Sequence, residues 1–260
     1  MIRAIFFDID GTLVSFSTHR IPESTSRALD EARRRGIRLF IATGRHTSVM
    51  QEGHILGGFP YDGYVTLNGQ YCYTREGGMI HQSSVPAADI RALVELLDRD
   101  PFPCLFMEKE QIYANMIDDS MRAAHRAVNL PLPEVADFHR ALHHDIYQLN
   151  FFLTSEEEGY PLSRMPGCAA TRWSPYFSDI TPRGGSKRVG IEKMLAHFGI
   201  PASDTMAFGD GGNDIEMLRF AGVGVAMGNA GEEVRLAADY VTDDVDHDGI
   251  QNALRRFGVI

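Results

Sequence analysis

Apolar and polar positions alternate in two different rhythms along this chain. Residues 2–7, IRAIFF, are nearly all apolar, which suits a central parallel strand covered on both faces better than a half-exposed strand with alternating residues. In 22–35, Ala28, Leu29 and Ala32 form a helical stripe, and Gly36 follows as the expected C-terminal cap. Residues 37–45, IRLFIATGR, repeat the strand and polar turn, so the three segments predict a right-handed βαβ unit. The last third returns to this grammar, with helices at 186–198, 214–220, 232–237 and 249–257 and strands at 204–210, 222–228 and 239–242. Alternation of this kind predicts an α/β fold on a doubly wound parallel sheet, with sites at the carboxyl ends of the strands.

The middle has another texture. Short strand segments at 103–108, 112–116, 147–153, 168–173 and 176–180 are spaced by hairpin-length gaps as well as by helices at 87–99, 120–128 and 155–164. That pattern predicts an inserted α+β module with an antiparallel sheet. The expected organisation is a core domain of 1–80 and 184–260 and an inserted cap of 81–183, with breaker-rich crossings at Gly77, Gly78 and 181–185.

With 260 residues and 44% apolar content, the chain is long enough for one large domain or two ordinary ones. A formal charge of -10 with interspersed basic residues argues against a nucleic-acid binder, which needs a positive face. Cys72, Cys104 and Cys168 lie far apart without a CxxC pair, so neither a disulfide framework nor a thiolate metal site is expected. MIRAIFF is too short for a signal peptide, and no apolar run approaches the ~20 residues of a membrane span. The expectation is a reduced, cytoplasmic protein, monomeric or weakly oligomeric.

Against that background the segment AIFFDIDGTLV stands out: a buried strand that ends in two acids one residue apart. Residues i and i+2 of a strand point the same way, so Asp8 and Asp10 face one crevice, where a cation or a shared proton is needed to keep both. Gly11 lets the chain leave sharply, and Thr12 can bond the local backbone. FGDGGND, residues 208–214, adds Asp210 at the end of another strand, then Asn213 and Asp214 at a helix start, where Asp214 is also a ready cap. Clustered oxygen ligands select Mg²⁺. ATGR contributes the Thr43 hydroxyl, with Gly44 giving tight passage toward N–H groups that attract anions. Lys187 opens a helix, where the dipole disfavours a cation, so an anionic partner is expected. Taken together, the four segments are expected to end strands of one sheet, and their chemistry suits phosphoryl transfer.

DxDGT at 8–12, ATGR at 42–45, Lys187 and GDxxND at 209–214 resemble, in order and spacing, the four motifs of the haloacid dehalogenase superfamily. The insertion of roughly a hundred residues and LNG at 67–69 are similar to its Cof-type subclass IIB, and nearly the whole chain resembles phosphatases of hexose phosphates. The resemblance implies Asp8 as nucleophile and Asp10 as acid and base. It implies Thr43 and Lys187 on the phosphoryl oxygens, with Asn213 helping to position that group; Gly44 and Arg45 of the same ATGR turn are further substrate-side candidates. For Mg²⁺ it implies Asp8, the backbone carbonyl of Asp10, Asp210, and Asp214 in direct or water-mediated support. One departure is Arg188, where the family often has glycine.

The expected partner is a small phosphorylated metabolite, not nucleic acid or membrane. The inserted module would close over it, exclude water and read the leaving group. Arg45 either reaches a sugar hydroxyl or the cap, or is a solvated arginine of a first helical turn. Arg172, Trp173 and Tyr176 are of the kind that line sugar pockets, with core packing the favoured reading for Trp173. His139, His143 and His144 lack a further ligand and read as a solvated helix. Arg33, Arg34 and Arg35 fit a helix C-terminus, Glu156, Glu157 and Glu158 a helix N-terminus, and 243–249 a loop and helix cap near the site's rim. Competing readings are a sugar phosphomutase with the same aspartyl intermediate, a phospho-aspartate signalling receiver, and a silent binding protein.

Overall fold

The computed structural model describes residues 1–48, 55–127, 130–172 and 174–260. In chain order its elements are β1 Ala4–Phe7, α1 Glu23–Arg34, β2 Arg38–Ala42, β3 Gly63–Thr66, β4 Tyr71–Thr74, β5 Met79–Gln82, α2 Ala87–Leu97, β6 Cys104–Met107, β7 Ile112–Ala114 and α3 Asp119–Ala127. They continue with β8 Glu134–Val135, β9 Gln148–Phe151, α4 Gly159–Ser163, β10 Cys168–Thr171, β11 Ser178–Pro182, α5 Lys187–Phe198, β12 Thr205–Gly209, α6 Ile215–Phe220, β13 Val223–Ala226, α7 Glu232–Ala237, β14 Tyr240–Val241 and α8 Gly249–Arg256. Two compact units result. One holds Met1–Arg45, the described part of 49–81, and Ser186–Ile260; the other holds His46–Ser48 and Gln82–Gly185.

In the first unit an eight-stranded sheet runs β14-β13-β12-β1-β2-β3-β4-β5. Pairing is parallel from β14 to β3 and turns antiparallel at β4. Strand parity sorts the side chains into two layers, because successive residues point to opposite faces. Ile5 and Phe7 pack with Ala28, Leu29 and Ala32 of α1 and with Ile250, Ala253 and Leu254 of α8. Ala4 and Phe6 pack with Ile191, Met194 and Leu195 of α5, Met217 and Leu218 of α6, and Val234 of α7. Ring pairs continue the stacking sideways, Phe6 on Phe40 and Phe7 on Phe208.

Strands β3, β4 and β5 lie in a stretch where the apolar pattern assigns nothing, since each is only four residues long and bounded by glycines. Gly77 and Gly78 make the turn between β4 and β5, with the Gly77 and Gly78 N–H groups bonded to the Thr74 carbonyl and hydroxyl. The second unit carries a six-stranded sheet in the order β10-β11-β9-β6-β7-β8, antiparallel except at β7–β8. Its core gathers Leu93, Leu97, Phe106, Tyr113, Leu149, Phe151 and Ile180.

The helix expected over 155–164 shrinks to α4, where Gly159 weakens the first turn and Pro161 has no N–H to give the Glu157 carbonyl. Of the helix expected over 120–128, Val128 lies outside the described residues. All three cysteines are buried free thiols, and burial pushes those of Cys72 and Cys168 up to about 12. Among the described residues, no helix is long and apolar enough to cross a membrane.

Candidate active site

Three strands end together at one edge of the first sheet. Register pairs Phe7 with both Ile41 and Phe208, so Asp8, Thr43 and Asp210 all follow the carboxyl ends of adjacent parallel strands. Asp8 has the parity of Ala4 and Phe6 and therefore faces the layer of α5 and α6. There the Lys187 ammonium, fully buried at the start of α5, donates to Asp8 Oδ1 and to Asp214 Oδ1, each at 2.6 Å. Asp214 Oδ2 accepts from the backbone N–H of Asp210 and of Gly211. Asp214 makes no side-chain cap to the helix it opens, contrary to the capping expectation; one oxygen holds Lys187 and the other the loop N–H groups that precede it. Lys187 itself does not end a strand of this sheet, contrary to the sequence pattern: it opens α5 and reaches back along the helix N-terminus.

Asp210 closes the cluster. Its Oδ1 accepts from the Thr12 hydroxyl at 2.8 Å, and its Oδ2 from the Asn229 amide at 3.2 Å. Thr12, expected to serve the local turn, instead spans 198 residues of sequence. Gly11 is required here: its φ is +80°, and a Cβ would lie 2.2 Å from Asp210 Oδ2. The Asn229 amide also donates to the Gly11 carbonyl, and its oxygen accepts from the Val245 N–H, which ties the 243–249 loop to the same edge.

Asp8, Asp210 and Asp214 each offer an oxygen within 4.8 Å of the others. Three carboxylates face one ammonium, so the cluster carries an excess of negative charge. Burial, offset by Lys187 and reinforced by Asp214 and Asp10, pushes Asp8 up to about 7. Burial together with Asp8 and Asp214 pushes Asp210 up to about 8. Burial opposes the charge on Lys187, but Asp214 and Asp8 outweigh it and raise its pKa. An all-oxygen donor set with uncompensated negative charge fits a hard divalent cation.

Asp10 points elsewhere. Its two oxygens accept from Arg45 Nε and Nη2, each at 2.7 Å, in a bidentate fork. Arg45 is therefore not the solvated arginine of the alternative reading; its side chain is 9% exposed, and Nη1 is buried without a partner among the described residues. The Thr43 hydroxyl accepts from the Arg45 N–H, which sets the turn through Gly44. Arg188 lies on the exposed side of α5 against Glu192, Glu216 and the Phe220 ring, where ordinary helical backbone makes no demand for glycine.

Two further side chains join this edge, one of them from the LNG segment at 67–69. Asn229 sits just after β13, and its signal in the sequence is position alone. Asn68 accepts from the Asn213 amide at 2.9 Å. In the second unit Arg172 is spent internally, on Glu158, the Leu153 carbonyl and the Ser174 carbonyl. Tyr176 is exposed, and Trp173 lies outside the described residues. His139 is held by Asp137 and Asp98 at the surface, and His144 lies 3.7 Å from Glu108. Arg33 bonds the Pro60 carbonyl, and Arg34 and Arg35 pair with Glu31 at the end of α1.

Comparison with known proteins bears on this edge. Residues 5–254 match the haloacid dehalogenase-like hydrolase family. The protein YkrA of Bacillus subtilis (strain 168) is 35% identical over 260 residues, covering 99% of this chain and 98% of its own. An HMP-PP phosphatase of Shigella flexneri is 30% identical over 252 residues, 90% of this chain and 87% of its own. Among solved structures, that of the HAD subclass IIB sugar phosphatase BT4131 superposes with a TM-score of 0.88 at 42% identity, covering 99% of this chain and 100% of that one.

Proposed function

The chain belongs to the haloacid dehalogenase-like hydrolases and is a phosphoric monoester hydrolase of that family, and from this premise we propose that it is a Mg²⁺-dependent phosphatase of sugar phosphates working through an aspartyl-phosphate. The observation that carries the reading is the buried Asp8–Lys187–Asp214 bridge with Asp210 beside it at the end of the sheet. The sugar assignment draws on the likeness to BT4131.

In this reading Asp8 is the nucleophile. Its Oδ1 is held by Lys187, while Oδ2 accepts no hydrogen bond from a described residue and is the lone pair offered to phosphorus. An oxygen–phosphorus bond forms to Asp8 as the bond to the sugar oxygen breaks, and Asp10 protonates the departing alkoxide. Water then attacks the acyl phosphate, Asp10 takes its proton, and inorganic phosphate leaves with Asp8 restored. Both oxygens of Asp10 are engaged by Arg45, so protonating either one weakens an arm of the fork and frees the acid to turn to the leaving group. Arg45 Nη1 is then the donor available to a sugar oxygen. Thr43, Gly44, Lys187 and Asn213 hold the phosphoryl oxygens. Asp8, the Asp10 carbonyl and Asp210 would hold Mg²⁺, with Asp214 in support, and when bound the ion offsets phosphate charge that otherwise repels the carboxylate.

A phosphate-release screen tests this, run over sugar phosphates, nucleotides, phospho-amino acids and HMP-PP, with and without Mg²⁺. Sugar phosphates should be hydrolysed only with the metal, with phosphate released in full, not passed to a second hydroxyl as in a mutase. Asp8→Asn should be inactive yet folded. Turnover by that variant would remove the nucleophile assignment, and inertness of every monoester would remove the proposal.

A further inference from the structure

Residues 67–69 form a tight knot at the working edge of the first unit. Leu67 and Asn68 both have φ of +53°, and Gly69 has +93°, so three successive residues lie in the left-handed region. Asn tolerates that conformation better than most residues, but Leu67 takes it only at a cost, and such strain persists where the surroundings over-determine it. The surroundings here are the phosphate-side loops themselves. The Leu67 N–H donates to the Arg45 carbonyl and the Asn68 N–H to the Thr43 carbonyl. A Cβ on Gly69 would lie 2.1 Å from the Ser186 carbonyl, immediately before Lys187. Asn68 Oδ1 accepts from Asn213 Nδ2. One turn thus touches the loops that carry Thr43, Lys187 and Asn213.

The Asn213 contact has chemical consequences. A primary amide has one face that donates and one that accepts, and only the donating face attracts a phosphoryl oxygen. Asn213 Oδ1 is turned toward Gly211, where an added Cβ would lie 2.6 Å away. Its Nδ2 gives one hydrogen to Asn68, and the second has no partner among the described residues. Removing the side-chain oxygen of Asn68 removes the hydrogen bond that sets the Asn213 amide, and a flipped amide would present oxygen to the anion.

We propose that Asn68 is a positioning residue for phosphate: its side-chain oxygen fixes the Asn213 amide so that the remaining N–H is presented to a phosphoryl oxygen. The inference rests on the phosphatase reading above. It is tested by calorimetric titration of inorganic phosphate, with Mg²⁺ present, into wild type, Asn68→Gly, Asn68→Ala, Asn213→Ala and the Asn68→Gly/Asn213→Ala double variant. Thermal melting of each serves as the check on folding.

Asn68→Gly keeps the left-handed backbone and removes the amide; Asn68→Ala removes the amide and adds strain. Both should weaken phosphate binding about tenfold or more, the lower end for a hydrogen bond to a charged group, and Asn213→Ala should do the same. The double variant should bind no more weakly than Asn213→Ala alone, because Asn68 acts through Asn213. Unchanged binding in Asn68→Gly, a loss confined to the alanine variant, or multiplied losses in the double variant would each overturn the proposal while leaving the phosphatase reading intact. Wild-type protein that binds no phosphate would overturn both.

Discussion

Without a divalent cation, this protein should lose stability as the pH rises from 5 to 8. An aspartate in an unfolded chain titrates near about 3.9. Folding raises Asp8 to about 7 and Asp210 to about 8, because burial and neighbouring carboxylates disfavour their charged forms. Between these limits the folded state holds protons that the unfolded state has released. The contribution of this pair is then full below pH 4 and is lost as the pH climbs toward and through the folded values, by about 1.4 kcal/mol per pH unit for each proton held. Asp8 and Asp210 raise each other, so a proton on one relieves the other, and the pair titrates jointly. Between pH 5 and 7 the loss is about 3 kcal/mol if the pair holds one proton, which corresponds to roughly 6–12 °C in melting temperature for a chain of this size. The assay is thermal denaturation followed by circular dichroism at pH 5, 6, 7 and 8, in EDTA and in excess Mg²⁺. Mg²⁺ should raise the melting point strongly at pH 8 and little at pH 5, where protons compete for the same oxygens. Histidines titrate in the same window, buried His46 with a lowered pKa and His139 and His247 with raised ones, so Asp210→Asn supplies the reference. That variant should be more stable than wild type at pH 8 in EDTA, should match it at pH 5, and should gain nothing from Mg²⁺. An Asp210→Asn protein no more stable than wild type at pH 8 in EDTA would refute the charge-excess argument.

Lys187→Met should cost about 3–5 kcal/mol at pH 7 in denaturant melts, since it leaves buried carboxylates without their counter-charge; a loss under 1 kcal/mol would contradict the bridge as described. Arg45→Lys retains charge but not the fork, so kcat on a phosphate monoester should fall tenfold or more while inhibition by inorganic phosphate stays near wild type; an equal loss in both would place Arg45 on the phosphate instead. Gly11→Ala forces a Cβ into Asp210 at a left-handed backbone position, so calorimetry should show Mg²⁺ binding weakened at least tenfold, and unaltered binding would mean the turn relaxes freely.

Much of this fold was legible in the sequence because its signals are local. The apolar run of β1, the stripe of α1 and the alternation after residue 186 state which faces are buried, and the two-layer core follows from strand parity. The acids at positions 8 and 210 were legible for the same reason: each ends an apolar strand, and a lysine against the helix dipole implies an anion, which the structure supplies twice over. What escaped the sequence is non-local. Thr12 reads as a turn residue until register brings it beside Asp210, and Asn229 has no signal beyond its place after β13. Asn68 is the sharpest case. The LNG segment points to the residue, but its bond to Asn213 and the convergence of Thr43, Arg45 and Ser186 on its turn are non-local, so the segment names Asn68 without showing what it does. The residues that carry charge announce themselves by breaking a local rule. Those that aim the charge obey every local rule or break one quietly, and they are visible only once the strands have been laid side by side.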